Sequence, residues 1–377
     1  MKQRELGRTG LRVSEIGFGT EHLHGQPRQT VIDVIGEAVE HGVNYFDILW
    51  SYPDYLDNLG AAFSGLRDRV TLTLHLGSVV TDDGQYQRSR DRDACAAVYA
   101  DMLHRLGTDR ADVILIQWVD KHDDYERLLG PGGLLEVARR IRDDGGARFI
   151  GLSSHVAPVA ERAVAGGHFD LLMFPINPAF DRLPGIVDLE AVPETITPGQ
   201  RIEPERLRLY QVCAGRGVAL VGMKPFAGGR FFQLSDRQKA RLTPVRLLSY
   251  ALSQVGVSTV VPGAKTTEEL QAALQFLTAT DEEKSFGAAL SESAWSLTGS
   301  CVYCNHCLPC PSGIDIGGTL RLLGVAEHGL STDLRSQYER LPAKASECSE
   351  CGQCAERCPF GVDAPELMQR AATVFEP

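Results

Sequence analysis

No stretch of the 377-residue chain approaches the ~20 consecutive apolar residues that a membrane-spanning helix needs. Basic residues are in the minority, with 38 Lys and Arg against 49 Asp and Glu, for a formal net charge of −11. Nucleic acids and anionic membrane surfaces select basic faces, so neither is expected as a partner. Met1 to Gly10 carries no apolar signal segment, and a cytoplasmic protein is expected. Nothing is low-complexity. A glycine-rich dinucleotide fingerprint is also missing after the first strand candidate, since GFGTEH at 17–22 is not that motif.

What the chain has in excess is ordered cysteine. Eight of its 10 cysteines fall in two runs, CVYCNHCLPCP from Cys301 and CSECGQCAERCP from Cys348. The second has two, two and then three residues between thiols and a closing Cys-Pro, the spacing of bacterial iron–sulfur sites. Soft, anionic thiolates at this density suit a cubane of iron and sulfide, and two [4Fe–4S] clusters are expected. In two-cluster ferredoxins the fourth cysteine of each run serves the other cluster. Cys301, Cys304, Cys307 and Cys358 therefore form one set, and Cys348, Cys351, Cys354 and Cys310 the other. Structural zinc and disulfides fit less well, because zinc knots pair CxxC units across a longer gap and nothing calls for an oxidising compartment. Cys95 and Cys213 stand apart in helical stretches and read as small buried hydrophobes.

The length calls for two domains, or for one large barrel with a small appendage. Up to about residue 280, short apolar runs alternate with amphipathic helical stretches. Strands are expected at Val13 to Gly19, Tyr45 to Trp50, Val70 to Leu76, Val113 to Val119, Phe149 to Ser154, Leu171 to Ile176, Val218 to Lys224 and Thr259 to Pro262. Strands apolar on both faces, each followed by a helix, require a covered parallel sheet, and eight such units close most simply into a (β/α)8 barrel. The expected division is an α/β barrel over 1–285 and a mainly helical, ferredoxin-like cluster domain over 286–377. Pro184 to Pro204 reads as an insertion, and Gly317 to Leu341 and Ala364 to Phe375 as helices packed over the clusters or the barrel.

In such barrels the chemistry sits where the strands end. Asp47 interrupts NYFDILW, His75 interrupts VTLTLHLG and Gln117 interrupts VILIQWVD, while Tyr52 follows the second strand. Ser153, Ser154 and His155 end the fifth strand, Asn177 the sixth and Lys224 the seventh. Any single one is readily a satisfied core polar group, but together they describe a polar cavity at one mouth.

KQRELGRTGLRVSEIGFGTEHL, GVNYFDILWSY, DVILIQWVD, GARFIGLSSH, VALVGMKPFAGGR and VVPGAKTTEEL occur in the order and at the distances found in the aldo-keto reductases. Residues 2 to 278 resemble that family, and the cysteine region resembles the ferredoxin-like tail of its iron–sulfur branch. The resemblance implies a catalytic tetrad in which a tyrosine gives a proton to a carbonyl while NADPH delivers hydride. Its aspartate and tyrosine fall on Asp47 and Tyr52, its lysine on His75 and its histidine on Gln117. It also implies cofactor contacts at Ser153, Ser154, Asn177 and Lys224, with Met223 where the family stacks an aromatic ring on nicotinamide. The turn Pro262, Gly263, Ala264 and Lys265 opens a helix and suits a phosphate, which makes NADP(H) or FMN the candidate cofactor.

Two functions follow. One is an oxidoreductase that couples the clusters to redox chemistry on a small carbonyl or related substrate at the barrel mouth, with a ferredoxin or flavodoxin as an external donor. The other is a barrel that has lost catalysis and serves electron transfer or binds a ligand or partner.

Overall fold

The computed structural model describes residues 1–81, 84–182, 202–233, 242–286, 301, 307–326, 330, 332–358 and 361–376. The insertion expected at Pro184 to Pro204 lies mainly outside them, as does Cys304. Among the described residues no helix is long and apolar enough to cross a membrane.

Eight parallel strands run in chain order around one sheet: Phe18–Gly19, Tyr45–Ile48, Thr71–Leu76, Val113–Ile116, Phe149–Ser153, Leu171–Pro175, Ala219–Met223 and Val257–Val261. The sheet closes between its last and first strands. Gly17 N–H donates to Val260 O, Val260 N–H to Glu15 O and Gly19 N–H to Pro262 O, at 2.9, 3.1 and 2.9 Å. This is the expected (β/α)8 barrel, with one correction. Arg12–Ser14 is not the start of the first barrel strand but pairs antiparallel with Gln3–Glu5. That hairpin pushes Leu6 and Val13 into the barrel floor beside Tyr45, Val113 and Leu171.

Alternation along each strand sorts side chains to the two faces. Val113 and Leu115, Leu171 and Met173, and Ala219 and Val221 point to the barrel axis, while Ile114, Leu172, Phe174 and Leu220 pack under the helices. Tyr45 shares the inward set, and Thr73 on the next strand donates a 2.8 Å hydrogen bond to its phenol oxygen. Continuing the same parity towards the strand ends brings Asp47, His75, Gln117 and Ser153 to the axis at the mouth. Helices such as Leu134–Asp143 and Ala157–Ala165 follow the strands, and the helix expected at Ala364–Phe375 is observed over the same residues. A hairpin, Ser78–Val80 with Tyr86–Arg88, and a helix, His122–Leu129, add to the expected set.

The C-terminal region is helical, with Ile316–Ala326, Thr332–Glu339, Gln353–Glu356 and Ala364–Phe375. It does not stand apart. Ile314, Ile316, Leu320 and Met368 share one buried apolar cluster with Phe180, Phe231, Leu247 and Tyr250 of the barrel. Beneath this seam lies Asp181, fully buried, which accepts hydrogen bonds from Tyr210 at 2.6 Å, Tyr250 at 2.8 Å and Arg206 at 3.2 Å. Burial pushes the Asp181 carboxyl up, and the Arg206 guanidinium and the two phenols oppose that push. Replacing Asp181 by Ala would leave the 3% exposed Arg206 without its carboxylate. Urea unfolding is expected to show a loss of about 3 to 5 kcal/mol.

Candidate active site and cluster site

At the barrel mouth the aspartate and histidine ends of the inward rows meet. His75 Nε2 lies 2.8 Å from Asp47 Oδ1, and His75 Nδ1 lies 3.1 Å from Gln117 Oε1. His75 stands where the sequence resemblance puts a lysine, between the Asp47 carboxylate and the Gln117 amide. Gln117 is also bonded to the Tyr86 hydroxyl, which lies 3.0 Å from its Oε1 and 2.9 Å from its Nε2. The chain Asp47, His75, Gln117, Tyr86 is thus continuous.

Tyr52 takes part differently. Its ring stacks on His24 with centroids 4.2 Å apart and planes 14° apart. Burial holds the phenol protonated above its ordinary range, the negative charge of Asp315 adds to this, and a hydrogen bond from the Tyr86 backbone works against it. Tyr86 and His24 were missed by sequence reasoning. The Asp-Gly pair in TDDGQY is a hairpin signal that would have placed Tyr86 beside the third strand, whereas nothing local marks His24.

A second polar group forms at the ends of the fourth, fifth and seventh strands. His155 Nδ1 lies 3.0 Å from Asp120 Oδ2, and Lys224 Nζ lies 3.3 Å from His155 Nε2. Ser154 Oγ donates to Asp120 Oδ1 at 3.2 Å, and Ser153 Oγ accepts from Trp118 N–H at 2.9 Å. Asn177 donates to the Lys224 carbonyl at 2.8 Å and accepts from the Ala179 and Phe180 amides. The hydroxyls and the amide that the sequence suggests for cofactor contact are therefore committed within the protein.

The expected phosphate turn is committed too. Lys265 N–H donates to Glu269 Oε2 at 2.8 Å, and Thr266 caps the helix by accepting from Glu269 N–H. A hydrogen bond with the Thr266 side chain holds the Glu268 carboxyl below its usual range, so this helix start carries the chain's own anions. At Gly263 a Cβ would lie 2.4 Å from His22 Cδ2, so the imidazole covers the backbone at this turn. These residues do not fit the phosphate of NADP(H) or of FMN.

The cysteines fit their group. Cys310, Cys348, Cys351 and Cys354 line one apolar recess with Pro311, Ile314, Ile316 and Met368. That joins the last cysteine of the first run to the first three of the second. Burial raises the Cys354 thiol, with smaller upward contributions from Cys348 and Cys310, as expected for thiols that converge. Of the other set, Cys301, Cys307 and Cys358 are half-buried against the same apolar cluster. Arg357 joins the runs by donating to Cys307 O and Pro309 O, each at 2.7 Å. The isolated Cys95 and Cys213 are buried in helices as expected, and burial pushes the Cys213 thiol to about 12. Cys310→Ala is expected to lower the iron content of anaerobically purified protein from about eight to about four per chain.

The sequence profile of the 4Fe-4S dicluster domain matches residues 300–363. An uncharacterized oxidoreductase of Bacillus subtilis, YqkF, is 25% identical over 301 residues, which is 75% of this chain and 94% of that protein. The NADH-specific methylglyoxal reductase of Escherichia coli is 24% identical over 191 residues, 46% of this chain and 58% of that enzyme. The holo structure of an aldo-keto reductase from Bacillus halodurans superposes with a TM-score of 0.60 at 21% identity, covering 78% of this chain and 97% of that one. Residues 15–246 match the profile of the Aldo/keto reductase family, and the chain belongs to that family as an oxidoreductase carrying an iron–sulfur domain.

Proposed function

We propose that the protein transfers electrons between two C-terminal [4Fe–4S] clusters and a small carbonyl or related compound held at the barrel mouth. The observation that carries this reading is the position of Asp315. It stands between Ile314 and Ile316, which line the cysteine recess, and its charge bears on the Tyr52 phenol of the barrel. The recess and the mouth are thereby neighbours.

Such clusters, when bound, supply single electrons at low potential. The chain's own residues handle the rest. Tyr52, held as a neutral phenol, keeps a proton at its hydroxyl for a substrate oxygen. The Asp47 and His75 pair and the Gln117 amide form a polar floor at the strand ends. Tyr86 and Trp50, whose rings meet edge to face at 4.6 Å, flank Tyr52 with ring centroids 6.0 Å from its own. The external donor is a one-electron carrier such as a ferredoxin or flavodoxin, because the barrel's phosphate turn is closed by its own glutamates.

Tyr52→Phe is expected to lower turnover by roughly 10²- to 10⁴-fold with iron content unchanged. An unaltered rate would remove Tyr52 as the donor and favour a barrel that only binds. The sign of the pH effect follows from the phenol. Because its pKa lies above the ordinary value near ~10, the protonated donor persists through neutral pH and activity falls only at higher pH. Asp315→Asn removes a charge that favours the protonated form, and the alkaline limb of the rate profile is expected to move to lower pH.

A further inference from the structure

We propose that Lys224 is the binding site for the carboxylate of the substrate, so that the compounds the barrel takes are small organic acids bearing a reducible carbonyl. This deepens the reading above and rests on it for the mouth being the substrate site.

The hydrogen bonds set the place of the ammonium. An ammonium only donates, and Lys224 Nζ lies 3.3 Å from His155 Nε2, while His155 Nδ1 lies 3.0 Å from Asp120 Oδ2. Asp120 is fully engaged, since its Oδ1 accepts the His155 backbone N–H at 2.6 Å and the Ser154 hydroxyl at 3.2 Å. The His155 ring stands between its carboxylate and Lys224. Among the described residues no carboxylate lies within ion-pair distance of Lys224. On the other side of the mouth, by contrast, the His75 ring has the Asp47 carboxylate beside it at 2.8 Å. Lys224 therefore presents a positive charge that the protein orients but does not cancel.

The backbone supports a built site. Lys224 adopts a φ of 54°, the left-handed region that a lysine enters only when held there. Asn177 holds it through the Lys224 carbonyl. From the seventh strand the side chain reaches past the sixth strand to the end of the fifth, so the ammonium lies over the strand ends rather than outside the barrel. Phe226 and Ala227 follow directly and join the apolar cluster shared with the C-terminal domain. An anion on Lys224 thus sits at the seam between barrel mouth and cluster domain. The oxidoreductase reading puts the electrons there. A carboxylate also satisfies an ammonium at such a site through charge-assisted hydrogen bonds, which an uncharged carbonyl compound forms more weakly.

The test is calorimetric titration of the oxidised, iron-loaded protein with pyruvate, and with methylglyoxal as the counterpart that carries an aldehyde in place of the carboxylate. Pyruvate is expected to bind saturably. Lys224→Met should weaken it by roughly tenfold or more, while Lys224→Arg, which keeps the charge, should stay within about threefold. Methylglyoxal binding should be the same in all three proteins, and unchanged iron content shows that the variants fold. The proposal is overturned if pyruvate does not bind, if Lys224→Met binds it as well as the parent, or if NADP⁺ displaces it through Lys224 and so marks a dinucleotide site. No electron moves in this experiment. Its failure therefore leaves the Tyr52 result standing, and an inert Tyr52→Phe leaves the binding result standing.

Discussion

The apolar seam between the barrel loops and the C-terminal helices is the contact on which the functional architecture depends. Phe180, Phe231, Leu247 and Tyr250 on one side and Ile314, Ile316 and Leu320 on the other bury a continuous surface. Apolar burial is non-directional and scales with the area removed from water, so a seam of this breadth holds two modules in register without needing any one bond. Asp181 sets that surface from below by tying Tyr210, Tyr250 and Arg206 together. Because the seam follows directly on Asn177 and Lys224, it brings a cysteine-lined recess to the end of the barrel where side chains of (β/α)8 enzymes do chemistry.

The mouth departs from a plain reductase in a physically consistent way. At the third strand a buried histidine, bonded to Asp47 and Gln117, stands where the family resemblance puts a lysine. Among the described residues no carboxylate lies within ion-pair distance of Lys224 on the seventh strand, and the tyrosine is held protonated by burial and by Asp315. The helix start after the eighth strand turns its donors to Glu269. These shifts move positive charge away from a nucleotide phosphate and towards the seam.

Much of this was legible in the sequence because it is written locally. Alternation within each strand and helical spacing within each helix gave the barrel, and the thiol spacing marked the cysteine region, where Cys310 lines one recess with Cys348, Cys351 and Cys354. The first strand misled because Val13 lies just before Ile16 and Phe18 of the barrel, whereas pairing of Arg12–Ser14 with Gln3–Glu5 depends on a turn at Gly7 to Gly10. The strand-end residues were recognised, but their partners were not. His75 meets Asp47 across 28 positions and Lys224 meets His155 across 69, and no local pattern encodes such distances. The phosphate turn looked open because Glu269 lies on the next helical turn, and only its side-chain direction shows that it folds back on Lys265.

An anaerobic crystal structure of the iron-loaded protein, with iron located by anomalous scattering, tests the central claim most directly. The account predicts a [4Fe–4S] cluster bound by Cys310, Cys348, Cys351 and Cys354, lying against Ile314 and Ile316 with the Asp315 charge near Tyr52. Iron absent from that recess, or a cluster domain seated away from the barrel mouth, would contradict it.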